Sequence, residues 1–125
     1  MEVVIVILLP FLLFTIALAY VDAEKIEANE YINHNTRTLV RIAFFAVNTS
    51  YIECTLPERI ALMLLQSALF WILFDIAINK FRKLPLFYIG KTAMIDKFFG
   101  RFAPVVMLLA KVVYLLVTIL VVLYI

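Results

Sequence analysis

Seven side chains in this 125-residue sequence have the types and spacing to do chemistry: Glu27, Glu30, His34, Arg37, Arg41, Asp75 and Lys111. A carboxylate set against a base is the simplest unit that can hold a proton, an ion or a metal, and in an apolar setting neither charge is tolerated alone. If the segments flanking residue 55 form a helical hairpin, positions equidistant from the turn share a depth. Asp75 is then level with His34, close to Arg37 and about a turn or two from Arg41. Counting inward from Arg101 and Lys83 brings Lys111 to nearly the same depth as Asp75. Asp75, Arg37, Arg41, His34 and Lys111 thus form a candidate intramembrane polar cluster. An ion pair that sets helix register, with Lys111 and Arg41 reaching toward headgroups, is the favoured reading. A proton relay would need more titratable groups in series than one aspartate and one histidine.

Glu27, Glu30 and His34 fall at i, i+3 and i+7 and could, with Asp75, present an oxygen-rich metal site. Carboxylate–histidine bundles draw such ligands in duplicate from facing helices, and this chain has one histidine. A solvated helix face is preferred, and no metal or cofactor is expected. Other motifs carry less. Asn48-Thr-Ser50 matches a glycosylation acceptor but falls within an apolar run, and Ser67 and Thr15 have no base at nucleophile spacing. Gly90-Lys-Thr92 lacks the first glycine and the preceding strand of a phosphate loop.

The elements that must position these residues are apolar. Residues 3–20 contain no charge, and residues 102–125 contain one, Lys111. A hydrocarbon core about 30 Å thick needs roughly 20 apolar helical residues. Continuous rather than alternating apolar runs argue against a β-barrel, and helices satisfy their own backbone. The expected fold is an all-α membrane protein in a single domain, with four transmembrane helices, alternatively three. Helix 1 is placed at about 3–21, with Pro10 as a kink. Ala17-Leu-Ala19 resembles a cleavage site, but the basic stretch of a signal peptide is missing, so a retained helix is expected. Helix 2 is placed at about 23–53, its first half an amphipathic extension at the interface. Thr55-Leu-Pro57-Glu58 carries a capping box with proline in the first turn, so helix 3 starts near Leu56 and runs to about 83. An aromatic, lysine-rich interfacial segment covers 86–99, and helix 4 runs from about 103 to 125.

Lys80, Arg82, Lys83, Lys91, Lys97 and Arg101 crowd the 80–101 connection against one acid, Asp96. The positive-inside rule places this loop in the cytoplasm and, with four spans, both termini outside. These basic residues are also candidates for binding anionic lipid or a partner. They lie beside membrane segments, so no nucleic-acid partner is expected, and the lone Cys54 makes no intrachain disulfide.

Phe74-Asp-Ile-Ala-Ile-Asn79, Arg82-Lys-Leu-Pro85, Phe87-Tyr-Ile-Gly-Lys-Thr92 and Asp96-Lys97 resemble small uncharacterised multi-span membrane proteins of Bacteroidota and their phages. The resemblance covers residues 70–101. It implies a bacterial inner membrane or a phage membrane and supplies no activity. With no catalytic constellation, the expected role is a non-catalytic structural, anchoring or assembly subunit that packs with copies of itself or a membrane partner. A holin-like pore is the second expectation, and a membrane enzyme using the acidic–histidine face the third.

Overall fold

A computed structural model describes residues 2–86 and 104–125. Among these residues every regular element is a helix: α1 (Glu2–Glu27), α2 (His34–Thr49), α3 (Leu56–Phe81) and α4 (Pro104–Tyr124). Three segments, Ile5–Glu27, Leu56–Phe81 and Val105–Tyr124, are long and apolar enough to cross a membrane. The chain is an all-α membrane protein. The interfacial segment expected over 86–99 lies, apart from Leu86, outside the described residues, as do Lys91, Lys97 and Arg101.

The single helix expected over 23–53 is instead divided, and the first helix is longer than expected. α1 continues through Asp22, Glu24 and Lys25 to Glu27. It stops because Asn29 adopts φ 57°, the left-handed conformation that asparagine tolerates better than most residues. The amide of Glu30 donates to the Lys25 carbonyl at 2.8 Å and that of Asn29 to Ile26 at 3.0 Å, a Schellman closure. Four residues later the Asn33 side chain accepts from the Thr36 amide and starts α2. Two asparagines therefore punctuate a stretch whose apolar spacing alone reads as continuous.

The start of α3 follows its local sequence. Thr55 donates its amide to Glu58 Oε2 at 2.7 Å, and the Thr55 hydroxyl accepts from the Glu58 amide, with Pro57 in the first turn. Its end repeats the α1 device, with Lys83 at φ 56° and the Leu84 amide donating to the Asn79 carbonyl at 2.9 Å.

Cross-helix pairs define the packing. Phe14 meets Phe70, Tyr20 meets Phe81 and Glu27 meets Arg82, so α1 and α3 run parallel. Phe11 against Phe45 and Asp22 against Arg37 make α2 antiparallel to α1. Tyr114 against Ser67 and Lys111 against Asp75 make α4 antiparallel to α3. Lipid tails are as apolar as leucine, so dispersion contacts, close backbone approach and interhelical hydrogen bonds must hold such a bundle. Ala19, Ala23, Ala61 and Ala68 are buried and admit that approach. An aromatic core fills the centre: Phe14 stacks on Phe44 at 3.9 Å, Phe70 stacks on Phe74 at 4.9 Å, and Phe45 lies edge-on to Phe70.

A left-handed conformation costs a residue with a Cβ about 1–2 kcal/mol, and glycine escapes that cost. Lys83→Gly should therefore raise stability by roughly 0.5–1 kcal/mol, after allowing for glycine's greater freedom when unfolded. Lys83→Val should lower it. Denaturant unfolding in detergent reads both, and the opposite order would show that the α3 terminus is not held in this conformation.

Candidate functional site

Each helix contributes at least one charge to a single layer near the α1 C-terminus. Asp22 lies on the α1 stripe formed by Phe11, Thr15, Leu18 and Ala19, all buried at spacings of three and four. That stripe turns its carboxylate inward, where it is 2 % exposed. Arg37 Nη2 reaches Asp22 Oδ1 at 2.8 Å. One turn along α2, Arg41 acts electrostatically on both Asp22 and Asp75. Its guanidinium lies 4.8 Å from the ring centres of both Phe70 and Phe74, which is cation–π geometry. On the far side of α3, Lys111 Nζ donates to Asp75 Oδ2 and sits 5.6 Å from the Trp71 ring centre. Lys111 belongs to a buried α4 stripe with Met107 and Thr118.

Opposite charges in a poorly solvated layer attract strongly, and removing one leaves the other buried at high cost. The layer therefore behaves as a lock between helices. Asp22 ties α1 to α2, Arg41 acts on both carboxylates, and Asp75 ties α3 to α4.

A second polar layer lies nearer the α1 N-terminus. Asn48 Nδ2 donates to Gln66 Oε1 at 2.8 Å and to the Ile7 carbonyl at 3.1 Å, joining α2 to α3 and α1. Pro10 has no N–H, so it removes one backbone donor from this turn of α1. Asn48 brings an external donor to the carbonyl next to the one that Pro10 cannot serve. On the α3–α4 seam the Ser67 and Tyr114 hydroxyls share a hydrogen bond at 2.8 Å. The phenylalanine core lies between the charged layer and the amide layer.

The sequence-derived cluster is rearranged in detail. Asp75 meets Lys111 and feels Arg41, while Arg37 pairs with Asp22 rather than with Asp75. His34 is exposed in the first turn of α2 and makes no side-chain bond among the described residues. Glu27 pairs across to Arg82 Nε at 3.4 Å, and Glu30 is exposed. Among the described residues, Glu27, Glu30, His34 and Asp75 are not gathered as metal ligands. Lys80 and Lys83 are exposed at the C-terminal end of α3. Sequence reasoning passed over Asp22 by treating it as the start of a polar stretch. The signal was there in its place, three and four residues beyond Ala19 and Leu18 on an otherwise apolar stripe.

Neither a protein-family model, nor a curated protein, nor a solved structure matches the chain.

Breaking a buried ion pair by removing one partner costs about 3–5 kcal/mol. Asp22→Asn should approach that range, because the Asp22 side chain is 3 % exposed. Asp75→Asn should cost less, because its side chain is 28 % exposed. The paired exchange Asp75→Lys with Lys111→Asp should recover most of the loss, whereas His34→Ala should change stability by less than about 0.5 kcal/mol. Unfolding in detergent measures all four, and a tolerated Asp22→Asn would show that the layer does not hold the bundle.

Proposed function

We propose that the chain is a non-catalytic membrane subunit, a small rigid helical scaffold that anchors or assembles with copies of itself or a membrane partner. The observation that carries this reading is that the membrane-depth charges Asp22, Arg37, Arg41, Asp75 and Lys111 are engaged with one another across helix seams. A catalytic site instead presents a reactive group to a cavity. A crevice of about 220 Å³ at the opposite end, lined by Cys54, Glu58, Ala61, Leu62, Val122 and Ile125, offers one carboxylate and one thiol without a base beside them. The aromatic core between the two polar layers likewise favours a scaffold over a conduit along the bundle axis. A bacterial inner membrane or a phage membrane is the proposed setting, in keeping with the sequence resemblance over residues 70–101.

The proposed topology has four crossings. α2 has 16 residues, about 24 Å of helix, which is short for a span. Two parallel helices that both cross a bilayer, as α1 and α3 do on this reading, must nevertheless be joined by a segment that returns through it. Residues 28–55 make that return, with α2 covering most of the distance. The outward face of α2 beyond its first turn supports immersion, since Leu39, Val40, Ile42 and Val47 are exposed and apolar. Both termini then lie on the side of Cys54, and the basic 80–101 connection lies on the other, cytoplasmic side.

An impermeant thiol reagent applied to intact cells should modify native Cys54 and should miss a cysteine placed at Lys83 in a Cys54→Ala background. Labelling of both from the same side would reject four crossings. Replacing Lys80, Lys83, Lys91 and Lys97 together by glutamine should abolish a discrete oligomer or partner complex while leaving the helical content intact. Unchanged assembly, or proton flux in proteoliposomes that Asp75→Asn abolishes, would overturn the scaffold reading.

A further inference from the structure

The apolar belt of the bundle ends at two different heights on the Cys54 side. α4 carries exposed apolar side chains to its end, at Leu120, Leu123 and Ile125. Val122 and Ile125 line the crevice with Ala61, Leu62 and Glu58, so the last turn of α4 is level with the first turns of α3. α2 stops short of that level. Its last residue is Thr49, and the preceding Asn48 is bonded to Gln66 and to the Ile7 carbonyl. Gln66 lies eight residues beyond Glu58, about 12 Å along α3. Allowing for Thr49, the step between the two belts is roughly 10 Å.

Residues 50–55 fill the step, and they are not helical. The amides of Ser50 and Ile52 close onto the Val47 and Thr49 carbonyls, and that of Thr55 onto Glu58. Those of Tyr51, Glu53 and Cys54 meet no acceptor among the described residues. Ser50, Tyr51 and Glu53 are exposed, and Glu53 adds a carboxylate to the segment. Hydrocarbon offers such groups no partner, and irregular backbone does not occur where lipid chains touch it. A bilayer of even thickness whose edge followed the end of α4 would lay acyl chains against this segment.

We propose that the leaflet on the Cys54 side is thinned by roughly 10 Å beside α2, where headgroups and water enter to meet residues 50–54, and keeps its full depth beside α4. The surface at the end of α2 thus takes the headgroup layer as its partner, while exposed Leu39, Val40, Ile42 and Val47 face the acyl chains of the thinned strip. Thinning a bilayer is a modest cost per ångström, whereas three unpaired amides and a carboxylate in hydrocarbon are a large one. The proposal rests on the four-crossing topology given above, not on the role in assembly.

Nitroxide labels on single cysteines of the full chain test it, in a Cys54→Ala background and in dioleoylphosphatidylcholine vesicles. Collisions are measured with oxygen, which concentrates among acyl chains, and with a water-soluble nickel chelate. Ser50→Cys and Leu120→Cys lie at similar heights, because Ser50 follows Asn48 at Gln66 and Leu120 precedes Val122 at Ala61 and Leu62. The nickel-to-oxygen ratio should be several-fold higher at position 50 than at position 120. Tyr51→Cys repeats the measurement one residue further on, at another exposed site, should Ser50→Cys fail to fold. Equal ratios at the two heights would overturn the thinning. A label at position 50 that neither reagent reaches would overturn it in favour of cover by a second protein chain. Ile42→Cys separates these failures from a failure of the topology. An oxygen-rich label there keeps α2 within the bilayer, so that equal ratios defeat this proposal alone, whereas a nickel-rich one would defeat the four crossings and this proposal together.

Discussion

Asp22, Arg37, Arg41, Asp75 and Lys111 come from four different helices, and at their depth none is stable without the others. Hydrophobic burial can drive a helix into lipid but cannot tell it which neighbour to choose, because lipid and leucine are equally apolar. Charge can. Each misplaced pairing would leave an isolated ion in a medium that solvates it poorly, so the ionic layer discriminates among arrangements that dispersion would leave nearly equal. α4 makes the point most plainly. Its exposed face is almost wholly valine and leucine, and its docking on α3 is defined by Lys111 against Asp75 and by Tyr114 against Ser67.

The two polar layers divide this work. The charged layer fixes which helices meet near the α1 C-terminus. The amide layer, through Asn48 with Gln66 and the Ile7 carbonyl, sets the relative height of α1, α2 and α3. Between them the phenylalanines fill space with stacked and edge-on contacts, whose geometry depends on the heights already set. The bundle is thus pinned at two levels and packed between them.

Helix ends obey a more local rule. Both α1 and α3 close in the same way, on a residue with positive φ that is not glycine, at Asn29 and at Lys83. Asparagine at such a position is readable, and it explains why α1 and α2 are separate where apolar periodicity suggests one helix. Lysine there is not readable, since no propensity favours it. Its conformation follows from the hydrogen bonds that close the helix and from the Arg82–Glu27 contact beside it.

Composition and run length by themselves determined that this chain is a helical membrane protein, because about 20 uncharged helical residues have one solvent that suits them. They also determined where α3 begins, because Thr55, Pro57 and Glu58 satisfy the first amides within one turn. Pairing of Asp75 with Lys111 was within reach of depth counting, since both lie on helices joined by one basic connection. What only the tertiary structure decided was the partner of Arg37 and the inward aim of Asp22. Depth counting ranks residues along the membrane normal but is blind to rotation about each helix axis. Rotation is settled when whole faces pack, so a few ångströms of lateral placement separate Arg37 meeting Asp22 from Arg37 meeting Asp75.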